Sequence, residues 1–307
     1  MAPPEARVAL SEHPDSVRML VLETDEAHPD TQEEIGSYGA IMNELFREAG
    51  EQHDPKLGIE TVMHFVPEPD GGRVPEPEGI GDDVHAILIT GSSYDAQGDD
   101  EWILKLMKLI RCTSSETYGG EPNRRLALTT GMWTNRPDIK LTGICFGHQV
   151  LCRVLGSKVK PNPEGEWELA HAALDLTEVG HKLFGLPEGQ TRIHLHQMHL
   201  DHVINAPSPE TTDLLEPGTK VHVWGRSEHT DVQGVYIQRR LFTSQGHMEF
   251  DDKMVRPQLE MRIKSGAVTL GEATEAAEKA DWMHDGQRVA QAVLRFFHGD
   301  DDTIEAS

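Results

Sequence analysis

Residues 139–151 read IKLTGICFGHQVL, an apolar run that ends at Cys145 and passes without a loop into residues of helical spacing. The run over 139–145 predicts a buried strand, and 147–155 (GHQVLCRVL) predicts a helix directly behind it. Gly143 and Gly147 stand two residues before and two after Cys145. Glycines at those places let the chain make a sharp, strained turn that lifts the side chain between them toward solvent. The helix that starts behind Cys145 points its N-terminal partial positive charge at the sulfur, which favours the thiolate. A small Cys packed under a helix needs no flanking glycines. That plainer role suits Cys152, two turns along the same helix, and Cys112, near another helix end.

Working outward, 17–23 (VRMLVLE) and 58–66 (GIETVMHFV) read as strands. Between them, Ile35, Tyr38, Ile41, Met42, Leu45 and Phe46 predict a helix over 33–49 with its stop at Gly50. A Pro- and Gly-rich surface loop over 67–83 precedes a third strand at 84–90 (VHAILIT), and 101–112 has helical spacing. Strand, helix, strand, loop, strand, helix is the pattern of a parallel sheet covered on both faces. Residues 113–137 fit no regular element and read as an insertion covering the site.

After Gly156 the pattern changes to short runs at 158–160, 167–176, 191–196, 220–224, 232–237 and 241–245, the strands of a mixed extension. A last helix is predicted over 275–297, and 299–307 (GDDDTIEAS) reads as a solvated acidic tail. The chain is thus expected to hold a polar N-terminal segment at 1–16 and a single domain at 17–298. Its fold class is α/β: an open, mainly parallel sheet with helices on both faces and antiparallel additions, its site at the carboxyl ends of the strands.

Lys and Arg number 28 against 52 Asp and Glu, a formal net charge of −24. Such a surface repels phosphate backbones and anionic lipid heads, which excludes nucleic acid and membrane as expected partners. The N-terminal 20 residues carry no targeting pattern and no run approaches a spanning helix, so a cytoplasmic protein is expected. Three Cys in a chain this long do not form a secreted disulfide framework. There is no Gly-x-Gly-x-x-Gly after the first strand and no P-loop, so no cofactor and no ATP are expected.

A thiolate nucleophile needs a group that protonates the departing nitrogen and later activates water, which is the work of an acid-oriented His. His247 and Glu249, in FTSQGHMEF at 242–250, lie two apart after an apolar strand, a spacing that lets the carboxylate orient the ring. The oxyanion formed by attack requires backbone N–H donors, and Phe146, directly after the nucleophile, offers one. Residues 194–202 (HLHQMHLDH) contain four His, yet no Cys or second ligand pair completes a tetrahedral set, and no metal is expected.

Gly143-Ile-Cys145-Phe-Gly147-His-Gln149 resembles the G-x-C-x-G-x-Q elbow of class I glutamine amidotransferases, in the flavour of stand-alone, GMP-synthase-like members of fungi and bacteria. His247-Met-Glu249 is similar to that family's H-P-E, with Met248 in place of Pro. The resemblance implies a glutamyl thioester on Cys145 and release of ammonia. It implies an oxyanion loop at 90–95, with Gly91 or Ser92 supplying an N–H, and a place for Gln149 beside the glutamyl group. Residues 197–203 (QMHLDHV) resemble the loop that contacts glutamine, which implies pocket roles for His199 and Asp201; Gly165-Glu-Trp-Glu168 resembles a further segment near the substrate, with Ala170 where Gly is usual. Three functions stay open: supplying ammonia to a separate synthetase partner, in a biosynthetic pathway such as that of a secondary metabolite; hydrolysing γ-glutamyl peptides or conjugates; or binding without catalysis. The intact Cys, His and Glu oppose the third.

Overall fold

A computed structural model describes residues 7–11, 13–111 and 131–304. The first half alternates strand and helix: β1 (Arg7–Ala9), β2 (Ser16–Glu23), α1 (Pro29–Glu34), α2 (Tyr38–Glu51), β3 (Gly58–Phe65), β4 (Ala86–Ile89), α3 (Glu101–Ile110), α4 (Met132–Asn135), β5 (Lys140–Ile144) and α5 (Phe146–Val154). Then follow β6 (Val159–Pro161), β7 (Glu168–Leu176), α6 (Glu178–Phe184), β8 (Arg192–His199), β9 (Asp201–Val203), β10 (His222–Arg226), β11 (Gly234–Ile237), β12 (Leu241–Ser244), α7 (Asp252–Ser265), α8 (Leu270–Ala277) and α9 (Gly286–His298).

Ten strands make one sheet in the order β1-β3-β2-β4-β5-β12-β11-β10-β7-β8, while β6 and β9 pair separately. From β3 to β12 the pairing is parallel. Beyond β12 it is antiparallel, and β1, inside the polar N-terminal segment, adds an antiparallel edge to β3. The central strands β2, β4 and β5 are apolar because helices cover both their faces. Trp102, Leu106 and Phe146 of α3 and α5 pack on one face. Phe46 of α2 and Phe297 of α9 pack on the other, their ring centroids 5.6 Å apart.

Several boundaries differ from the sequence expectations. The helix expected at 33–49 is two, broken at Gly36 with φ 119°, and the second runs through Gly50 to Glu51. Gly50 is no stop: a Cβ there would lie 2.0 Å from the Leu57 carbonyl oxygen, so glycine admits the chain returning toward β3. The helix expected at 275–297 is also two. Its alanine-rich sequence hides a break at 278–285, where Asp285 takes the backbone N–H of His194 and donates its own to the His194 carbonyl, both at 2.8 Å.

Helix α7 has no counterpart among the expectations. The tail is not wholly solvated: Asp301 is 2% exposed, and its Oδ2 accepts from the Tyr236 hydroxyl and the Arg239 N–H, each at 2.8 Å. Of the expected insertion, 113–130 lies outside the described residues, as does Cys112. The described remainder packs inward: Met132 and Trp133 are buried, and Trp133 Nε1 donates to the Leu214 carbonyl. Among the described residues no helix is long and apolar enough to cross a membrane.

Candidate active site

Cys145 ends β5 and caps α5 with φ 50° and ψ −106°, a left-handed conformation that costs a non-glycine residue free energy. Its neighbours make that turn possible. A Cβ on Gly143 would sit 2.3 Å from the Gly147 carbonyl carbon, and one on Gly147 would sit 2.2 Å from the Ile89 carbonyl oxygen. The Cys145 N–H donates to the Ser244 carbonyl at 2.8 Å, which ties the turn to the end of β12. The N–H of Phe146, first residue of α5, has no intrahelical acceptor.

Because β12 runs parallel beside β5, the chain leaving β12 emerges next to the thiol. His247 is fixed there from three sides. Its N–H donates to the His196 carbonyl at 2.8 Å, its Nδ1 donates to Glu249 Oε1 at 2.7 Å, and Phe250 stacks on its ring at 3.8 Å. Cys145 and the ring line the same crevice. Burial opposes charge on this imidazole, but the Glu249 carboxylate and Cys145 outweigh it and push His247 up to about 10. The expected nucleophile, proton carrier and orienting acid therefore stand in one line.

Gly91 and Ser92 face the same thiol, on a loop fastened to the end of β2. Thr24 Oγ1 donates to the Gly91 carbonyl at 2.9 Å, Ser92 Oγ to the Thr24 carbonyl at 2.7 Å, and the Ser93 N–H to Asp25 Oδ2 at 2.6 Å. The crevice over the thiol is completed by residues that the sequence reading missed, among them Tyr38, Met198, Phe250, Gln258 and Arg262. Its free volume is about 20 Å³, room for one small group beside the sulfur.

Gln149, Glu168, His199 and Asp201 are brought together as expected, but as a hydrogen-bonded group of their own outside the crevice lining. Gln149 Nε2 donates to the Asp201 carbonyl at 2.8 Å and to Gln245 Oε1 at 3.0 Å. His199 Nδ1 meets the same carbonyl at 3.0 Å, and its Nε2 lies 3.1 Å from Glu168 Oε2. Burial works against the Glu168 charge, yet His199, Ser227 and Thr230 overcome it and hold the carboxyl below its ordinary range. Asp201 moves the other way, to about 6, through burial and then the neighbouring Asp95 carboxylate.

His194, His196 and His199 of the run lie on β8 and His202 on β9, and the first two join rings from other elements. His171 stacks on His194 at 4.7 Å and His196 meets His284 at 4.8 Å. Burial, and then His284, hold His196 down at about 3.

The family model for glutamine amidotransferase class-I matches residues 120–260. A Saccharomyces cerevisiae protein assigned as a glutamine amidotransferase is 34% identical over 221 residues, covering 70% of this chain and 72% of that protein. γ-Glutamyl peptidase 2 of Arabidopsis thaliana is 24% identical over 236 residues, covering 75% of this chain and 76% of that protein. In fold, the crystal structure of a Thermotoga maritima glutamine amidotransferase superposes with a TM-score of 0.57 at 18% identity, covering 94% of this chain and 98% of that one.

Proposed function

This chain belongs to the class-I glutamine amidotransferase family, and on that premise we propose that it cleaves the γ-amide of glutamine or of a γ-glutamyl compound through a thioester on Cys145. The observation that carries the reading is the Cys145–His247–Glu249 line, with Nδ1 held 2.7 Å from the carboxylate. Cys145 attacks the γ-carbonyl carbon. The oxyanion takes the N–H of Phe146 and one from Gly91 or Ser92. His247 gives its proton to the departing nitrogen, and the carbon–nitrogen bond breaks. The ring then takes a proton from water, whose hydroxide releases glutamate and regenerates the thiol. Glu249 keeps the ring in the tautomer and orientation that both steps need. Gln149, Glu168, His199 and Asp201 hold the glutamyl end.

On this reading residues 17–298 act as one catalytic domain, and the ammonia freed from glutamine passes to a separate synthetase. Similarity to γ-glutamyl peptidase 2 supports a second reading, release of a free amine from γ-glutamyl peptides. Both are tested by following ammonia, free amine and glutamate from glutamine and a panel of γ-glutamyl dipeptides, with Cys145→Ala alongside. The wild-type protein should release glutamate from at least one substrate and the variant from none, with its thermal stability kept. Undiminished turnover by Cys145→Ala would remove the thioester.

A further inference from the structure

Arg262 stands in the crevice over Cys145 without an anion. In a chain of 28 Lys and Arg against 52 Asp and Glu, acids are abundant. Yet among the described residues no carboxylate lies within ion-pair distance of this guanidinium, and its buried Nε has no hydrogen-bond partner. The acid that also lines the crevice, Asp25, is already taken by the N–H groups of Glu26 and Ser93, at 2.8 and 2.6 Å. The guanidinium is held nonetheless: it lies over the Trp167 ring, 5.3 Å from the centroid, and Gln258, one turn back on α7, donates to the Tyr38 hydroxyl at 3.4 Å. A fixed, partly desolvated arginine with free donors matches a planar carboxylate.

The strand alternation says which end of a substrate meets it. In the β7–β8 pair, Glu168 lies opposite His199 and Leu169 opposite Met198, so successive pairs face opposite sides. Met198 packs with Phe250 and the α7 residues Met254 and Val255, and Trp167 packs against the same cluster. Arg262 is on that side. Glu168 and His199, in the Gln149 group that the proposed function gives to the glutamyl end, are on the other. Arg262 lines the crevice with Cys145, and Gln149 of the other set lies on α5, the helix that Cys145 caps.

We propose that Arg262 binds the carboxylate carried by the leaving amine of a γ-glutamyl amino acid or peptide. The inference rests on the proposed γ-glutamyl cleavage and names its substrate class. Glutamine, whose leaving ammonia carries no carboxylate, gains nothing from Arg262.

The test compares wild type with Arg262→Gln on γ-Glu-Ala, on the same dipeptide with its C-terminus amidated, and on glutamine. The variant should lose about 10- to 100-fold in kcat/KM on γ-Glu-Ala, mainly through KM, as removal of a charge-assisted hydrogen bond does. The amidated dipeptide and glutamine should be unaffected by the change, and Arg262→Lys should restore part of the loss. Equal losses on all three substrates would assign Arg262 to the glutamyl carboxylate or to the fold, and no loss on any would leave it without a role; either overturns the inference. A wild-type protein that cleaves none of the three refutes the proposed function instead. Binding then decides the inference separately: by calorimetry, Cys145→Ser should hold γ-Glu-Ala tighter than its amide, and the added Arg262→Gln should erase that difference.

Discussion

Cys145 and His247 show how much one residue depends on the two beside it. The strained turn at Cys145 was legible because only glycine fits at 143 and 147, where close backbone approaches leave no room for a Cβ. The His-x-Glu spacing was legible too, and its weak signal gains from β12 running beside β5. Arg262, Tyr38 and Phe250 could not be read in this way, since no local pattern says which side chains from distant segments meet over a sulfur. Glu249 offers a prediction at this scale. Its carboxylate favours the imidazolium, so Glu249→Gln should let His247 fall from about 10 toward its ordinary 6.5. A lowered pKa means the acid that protonates the leaving nitrogen is lost at a lower pH. The alkaline limb of kcat/KM should therefore move down in pH, with turnover at neutral pH reduced by roughly 10²-fold. His247→Ala should cost more, because it removes the proton carrier itself. Superimposable pH profiles for wild type and Glu249→Gln would free Glu249 from the mechanism.

At the level of elements, apolar strands and amphipathic helices were placed within a few residues, whereas α7 was invisible. Its sequence, DKMVRPQLEMRIKS, is rich in charge and holds Pro257, so no apolar stripe announces it. The signal that remained was punctuation: Asp251 caps the helix by accepting from the Met254 N–H at 3.0 Å, and Gly266 ends it with φ 76°. Gly50 teaches the converse, since a glycine near a helix end suggested a stop where the helix continues. Its need is steric and non-local, set by Leu57 on the chain returning to β3. Gly50→Ala should thus destabilise the protein by about 1–3 kcal/mol, as overpacking does, although alanine favours helix. Because α2 reaches the crevice lining through Tyr38, at its other end, kcat should hold at temperatures below the transition. A variant as stable as wild type in urea would show that the Leu57 segment yields freely.

Across the whole molecule, two halves of different pairing share one sheet, and the join between them is where the site sits. β12 is parallel to β5 on one side and antiparallel to β11 on the other, so the β11–β12 turn decides how the extension meets the parallel core. Arg239 in that turn has φ 59°, a conformation that needs support from outside the hairpin. Asp301 supplies it, accepting at 2.8 Å both from the Arg239 N–H and from the hydroxyl of Tyr236 on β11. The Arg239 side chain meanwhile reaches Asp302 at 2.5 Å. Composition alone makes this stretch a solvated acidic tail, because nothing in GDDD tells the acid that folds inward from those that stay in water. Asp301→Ala removes two hydrogen bonds to a buried carboxylate. The expected cost is about 2–4 kcal/mol. In a chain of this size that corresponds to a fall in Tm of roughly 5–10 °C, measured by calorimetry. Cys145 lies on the far side of β12 from this turn, so its alkylation rate at 25 °C should not change. A Tm equal to that of wild type would mean that the hairpin holds its own shape, and that the segment after α9 merely rests upon it.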